Sequence, residues 1–144
     1  MKYTFETEIN APVEKIAELV GNPDNRKEWM DGLESDEHVS GTPGMPGAKS
    51  RLVFKTGNMK TTMDGTVTVR NLPDEFSQTM EAPNVLTIIT TRLVALSPQR
   101  TRHISEQEFQ FKGVINKIVG FLLQKEFKNQ TLRHIENFKR FAEK

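Results

Sequence analysis

The segment VLTIITTRLVALSPQRTRHISEQEFQF, residues 85–111, and the run KGVINKIVGFLLQKEFKNQTLRHIENFKRFAEK, residues 112–144, decide the fold between them. The first is two runs rich in β-branched and aromatic residues on either side of Ser97-Pro98-Gln99-Arg100, the pattern of two antiparallel strands joined by a tight turn. The second carries apolar residues at Ile115, Val119, Leu122, Phe127, Ile135, Phe138 and Ala142, with Thr131 filling the phase and only Gly120 interrupting. That 3.6-residue period predicts one helix from Val114 to about Ala142, ~43 Å long at ~1.5 Å per residue and so able to cross a whole sheet.

Upstream, strand-like stretches fall near 32–40, 48–56, 59–71 and 74–82, divided by turn signals such as Leu72-Pro73-Asp74 and Ala82-Pro83-Asn84. No helix-length segment separates them, so the connections are hairpins and the sheet is antiparallel, which argues against a Rossmann-like fold. At the N-terminus Tyr3, Phe5, Thr7 and Ile9 alternate with Lys2, Thr4, Glu6 and Glu8, the signature of a strand with one buried face. Asn10 or Ala11 stands near the cap of a short helix with Pro12 in its first turn and Ile16, Leu19 and Val20 inward; Gly21 and Pro23 stop it. A second short helix is expected from about Asp24 to Met30. The expected fold class is α+β, one soluble domain over residues 1–144: a curved antiparallel sheet of about seven strands around a long C-terminal helix, with two short helices after the first strand.

A chain of 144 residues buries roughly 68–70% of the surface it exposes when unfolded, so a real core needs no staples. It contains no cysteine, which excludes disulfide scaffolds, thiol catalysis and cysteine zinc sites and leaves the cytoplasm as the expected location. The N-terminus lacks a basic stretch followed by an apolar block, and no apolar run approaches the ~18 residues of a membrane span, so neither export by that route nor stable membrane insertion is expected. The net charge of +1 hides an asymmetry: residues 1–40 hold four Lys/Arg against ten Asp/Glu, and residues 112–144 hold eight against three. The basic residues sit on a helix whose aromatics belong to its apolar stripe, which points away from nucleic acid. His38, His103 and His134 are too scattered for a metal cluster, and no HxH or HExxH spacing exists, so no metal and no cofactor are expected.

A twisted sheet curls, and one helix does not fill its concave side. The face of the last strand that holds Phe109 and Phe111 also holds His103, Ser105 and Gln107, and the aromatics mark it as inward. Pairing Ser97 with Arg100 sets Ile88 opposite Phe109, Leu86 opposite Phe111, Arg92 opposite Ser105 and Val94 opposite His103. That register puts Ile88, Thr90 and Arg92 on the inward face; a bulge in the strand, which is apolar in both phases, would turn Arg92 outward to a surface pair with Glu106 or Glu108. The candidate lining is Trp29, Leu52, Phe54, Met59, Met63, Ile88, Thr90, Arg92, His103, Gln107, Phe109, Phe111, Ile118 and Leu122. Such a mixture of apolar walls and a few polar groups is the usual make-up of a small-molecule site.

The opening INAPVEKIAELVGNPDNRKEWMDGL, residues 9–33, the loop GTPGMPGAK, residues 41–49, and the closing EFQFKG, residues 108–113, followed by FKNQTLRHIENFKRFAEK, residues 127–144, resemble the START-like (SRPBCC) superfamily. This helix-grip group includes polyketide cyclases, the major birch-pollen allergen and lipid-transfer domains. The resemblance implies a hydrophobic cavity between sheet and C-terminal helix and a lipid-like, sterol-like or polycyclic ligand. It implies no shared catalytic set.

Other features admit competing readings. The glycines of GTPGMPG lack a following Gly-Lys-Ser/Thr, so the segment reads as a mobile loop at the cavity mouth and not as a phosphate cradle, with Met45 a portal residue or merely exposed. Trp29 is a plug between the short helices and the sheet or a cap on the ligand. Met59 and Met63, around Asp64-Gly65, suggest adaptable lining next to a bulge. The apolar stretch Ile118–Leu123 around Gly120 is a core segment, a gate over the cavity or a homodimer contact. His134 is placed on the polar side of the helix, and His103 is the one candidate acid or base. No catalytic triad is legible. The sequence therefore favours a binder of a small hydrophobic ligand oriented by Arg92, His103 or Gln107, Arg92 preferring an anionic group. The alternatives are a cyclase- or dehydratase-type enzyme and a chaperone-activator-like interaction module.

Overall fold

The computed structural model describes all residues 1–144. Strand β1 (Lys2–Ile9) leads to helix α1 (Val13–Gly21), a 3-10 turn (Pro23–Asn25) and helix α2 (Arg26–Trp29). Then come β2 (Leu33–Ser40), β3 (Lys49–Thr56), β4 (Met59–Asn71), β5 (Glu75–Glu81), β6 (Val85–Ser97) and β7 (Arg100–Phe111), followed by helices α3 (Gly113–Leu122) and α4 (Gln124–Ala142). The seven strands form one antiparallel sheet in the order β1-β7-β6-β5-β4-β3-β2, so the α1–α2 connection carries the chain from one edge to the other. Fold class and strand count are as the sequence indicated.

Helix α4 lies against the concave face through Thr131, Ile135, Phe138 and Ala142, all buried and spaced four, three and four residues apart. Phe138 and Ala142 join Ile9, Ala11, Ile16 and Leu93 in the largest core cluster, which locks α4 to α1 and to strands β1 and β6 of the sheet. Helix α1 begins later than expected. Its cap is Pro12, while the Asn10 backbone N–H donates to Glu143 Oε2 at 2.8 Å, tying the end of β1 to the end of α4.

Further expectations are corrected. The C-terminal helix is two helices, because the backbone leaves helical geometry at Leu123 (φ −101°, ψ 12°). Gly120 is not a weak point within it: a Cβ there would stand 2.5 Å from the Phe111 ring, so only glycine lets α3 rest on β7. The glycine-rich loop is pinned at the end of α1, since Arg70 Nη1 donates to the Gly21 and Gly44 carbonyls at 2.7 and 2.8 Å. The bulge of β4 falls between Val67 and Val69, not at Gly65, which stays in the ladder where a Cβ would crowd Leu52.

The correction with most consequence is in the β6–β7 hairpin. Ser97 pairs with Arg100 as expected, yet the next pair is Ala95 with Thr101, leaving Leu96 as an extra residue. From there on the partners are Leu93–His103, Thr91–Ser105, Ile89–Gln107, Thr87–Phe109 and Val85–Phe111. A one-residue shift exchanges the two faces of a strand. Ile88, Thr90 and Arg92 therefore lie on the outer face, with Arg92 opposite Ile104 and its guanidinium donating to Glu106 at 2.5 Å and standing 3.9 Å from Glu75.

Arg92→Ala is expected to cost about 1 kcal/mol, as for a half-buried pair on the outer face of the sheet. Phe138→Ala should cost about 3–5 kcal/mol through the core cavity it opens. Urea unfolding of both variants checks the contrast.

Candidate ligand cavity

With odd-numbered residues of β6 facing α4, the space between sheet and helix holds two adjoining chambers of about 260 Å³ and 60 Å³. They share Met30, Ile89, Gln107, Thr131 and His134. Phe54, Met63, Met80, Val85, Phe109 and Phe127 supply the apolar walls of the larger one. The smaller lies deeper, between Trp29, Phe138 and His103. Together they stand near the lower end of the roughly 300–1,000 Å³ of small-molecule sites. A groove of about 370 Å³ by Asp24, Lys27, Glu34 and Asp36 is larger than either, but its lining is polar and belongs to the sheet edge.

No side chain with a formal charge lines either chamber. The polar groups are hydroxyls, amides and two imidazoles. His103 arrives from β7 because it shares the phase of Phe109, and its ring stacks on Phe138 at 5.2 Å. His134 arrives from α4, one turn before Phe138, and meets the edge of Trp29 at 6.1 Å. Both rings keep one buried nitrogen without a partner, Nδ1 of His103 and Nε2 of His134. Orphaned buried nitrogens of this kind are uncommon, and here both belong to residues of the same small chamber. Gln107 Nε2 donates to Ser105 Oγ at 3.0 Å, and Thr131 Oγ1 donates to the Phe127 carbonyl at 3.0 Å.

Burial removes water from the imidazolium form and drives His103 from its ordinary 6.5 down to about 4. His134 is also lowered, chiefly by burial, with a backbone hydrogen bond and the charge of Asp31 working the other way. Both rings are thus neutral at pH 7, each able to present a lone pair or an N–H.

The structure brings together Trp29, Phe54, Met63, His103, Gln107 and Phe109 in the chamber walls. Trp29 is both plug and wall, since it also packs edge-on against Phe138 at 5.9 Å. Leu52 is wholly buried beneath Met30 and Met80, a layer behind the wall, and Phe111 backs Phe109 and Phe127 from the side of α3. Met59 faces inward in phase but stands at the β3–β4 turn, beyond the cover of α4, and is 73% exposed. Ile118 and Leu122 are on the outside of α3, and Ile88, Thr90 and Arg92 are on the outer face of the sheet. The glycine-rich loop does not reach the larger chamber, and Met45 is exposed.

His134 faces the cavity and not the polar side of the helix where the sequence reading puts it, although Phe127, Thr131, His134 and Phe138 follow one helical stripe. Counting only apolar residues hides it. Thr87, Ile89 and Thr91 are hidden by the β6 register. No group of three or more His, Cys, Asp or Glu gathers as a metal site, and no helix is long and apolar enough to cross a membrane.

No family model matches the sequence, and no curated protein matches it. Solved structures do match over nearly the whole chain. The Zhui aromatase/cyclase of Streptomyces sp. R1128 is similar with a TM-score of 0.84 at 13% identity, covering 99% of this chain and 93% of that one. A START superfamily protein from Mycobacterium smegmatis gives 0.78 at 16% identity, covering 99% and 97%. The protein TTHA0849 of Thermus thermophilus gives 0.75 at 18% identity, covering 99% and 94%. The likeness at such identities is one of fold: the chain has the helix-grip architecture that these proteins share.

The lowered His103 pKa gives a pH dependence of stability. The unfolded chain takes up this proton below about 6.5 and the folded one only near 4, so stability is fully present above 6.5 and falls as the pH drops through that window. Urea unfolding between pH 7 and pH 4 should show the midpoint falling, and His103→Phe should flatten much of that slope.

Proposed function

We propose that the protein binds an uncharged, largely apolar small molecule, lipid-like or polycyclic, bearing one or two hydrogen-bonding oxygens. The observation that carries this reading is an apolar cavity without a charged wall, whose inner chamber is lined by two imidazoles that each keep a buried nitrogen without a partner. A hydroxyl or carbonyl oxygen of a ligand would satisfy them, while the rings of Phe109, Phe127 and the methionines take up its apolar body at ~25 cal/mol per Å². A carboxylate would enter with no cation to meet it, at a cost of several kcal/mol. The anionic preference expected from Arg92 falls with the outward turn of that residue.

A second reading, an enzyme of the cyclase type, draws on the likeness to the Streptomyces aromatase/cyclase and on His103 in the cavity. A side chain whose conjugate acid has a pKa of about 4 is a weak base at neutral pH, far from the value that serves proton transfer best. Binding is therefore the better-supported reading. A cytoplasmic location, a single-domain chain and absence of nucleic-acid partners belong to the same proposal.

Native mass spectrometry of the purified protein, with an organic extract, should show a neutral adduct, and titration should favour neutral polycyclic phenols over their carboxylate analogues by roughly tenfold or more. Ile89→Trp, at a residue that lines both chambers, should weaken binding strongly, and Ile88→Trp, on the outer face, should leave it intact. A protein that is empty and silent against such a panel would overturn the proposal.

A further inference from the structure

Helix α3 is built the opposite way round from α4. The residues it turns to the body of the protein are Asn116 and Gly120, one turn apart, with Gly120 under the Phe111 ring. Its apolar residues face out: Val114, Ile115, Ile118, Phe121 and Leu122 are each between 56% and 78% exposed. At ~100° per residue they span a single continuous arc, away from β7. Nothing in the chain covers them, and an exposed apolar patch bordered by polar groups marks an interaction surface.

The charges around this face say what it meets. Residues 112–130 contain four lysines and one acidic residue, Glu126. Lys112 is engaged with Glu81 at 2.8 Å, whereas Lys117, Lys125 and Lys128 are exposed. An apolar stripe flanked by lysines on a helix lying along the surface is the make-up of a segment that rests in the plane of an anionic bilayer, its apolar face at the acyl boundary and its ammonium groups among the head groups. A second copy of the chain fits less well. It would bring two positive faces together, and a ten-residue helix ~15 Å long falls short of the roughly 20–30 residues a side that a specific interface engages.

We propose that α3 docks the protein peripherally on membranes rich in anionic lipid. The outward face of Ile118 and Leu122 enters the interface, and Lys117 and Lys125 hold the lipid phosphates. Through Phe111 the docked helix abuts Phe109 and Phe127, which wall the larger chamber, so docking brings that end of the cavity to the bilayer. The docking itself does not depend on what the cavity binds.

Flotation with phosphatidylcholine vesicles, and with vesicles of phosphatidylcholine mixed with phosphatidylglycerol, tests it on the full chain. The expected result is binding to the mixed vesicles alone, weakened by added salt. Ile118→Ser/Leu122→Ser and, separately, Lys117→Glu/Lys125→Glu should each weaken it roughly tenfold or more, with urea midpoints unchanged because all four side chains are exposed. Absence of flotation, flotation that neither variant changes, or a dimer in sedimentation that Ile118→Ser/Leu122→Ser splits would each overturn the proposal, the last by assigning the face to a second copy.

Discussion

Successive side chains of a strand point to opposite faces, so one unpaired residue is enough to decide which half of a strand lines the interior. In this protein that residue is Leu96. Because it drops out of the ladder, Thr87, Ile89, Thr91 and Leu93 look toward α4, and Arg92 is sent to the outer face to meet Glu106 and Glu75. Everything about the character of the cavity depends on this exchange. With Arg92 inside, the cavity would be a site for an anion; with Thr91 and Ile89 in its place it has no charge of either sign.

The absence of charge then sets the electrostatics of the two histidines. Neither finds a carboxylate inside the cavity, so desolvation dominates and both imidazoles are neutral. His103 is held by stacking on Phe138, and His134 by Trp29. Their geometry is thereby fixed by aromatic packing, which leaves a ring nitrogen of each with nothing to bind. A buried polar atom in that condition costs folding free energy, and a ligand that satisfies it recovers the loss. The same aromatic contacts belong to the core of the protein, so the inner chamber and the stability of the fold share residues.

The C-terminal region divides into two helices that obey opposite rules. Helix α4 has the ordinary arrangement, with Ile135, Phe138 and Ala142 buried and its lysines and arginines outside. Helix α3 turns its small and polar residues inward and its large apolar ones outward. The phase is carried across Leu123: at 3.6 residues per turn Asn116 and Gly120 continue the stripe of Thr131, Ile135 and Phe138, and because that stripe is small and polar in α3 its apolar residues are left outside. That exposed apolar surface is the face proposed to dock on a membrane.

The sequence alone determined the strands, the turns, the antiparallel sheet and the inward stripe of α4, because each rests on a local period or on a turn chemistry that acts within a few residues. The inward phase of β7 was legible too, since Phe109 and Phe111 mark it and carry His103 and Gln107 along. The facing of β6 was not, because that strand is apolar in both phases and only its pairing with β7 across the bulge at Leu96 chooses between them. Nor was the role of His134, whose burial is conferred by Trp29 from a different part of the chain. The outward turn of α3 was likewise a tertiary decision, made where Phe111 leaves room for Gly120 and for nothing larger.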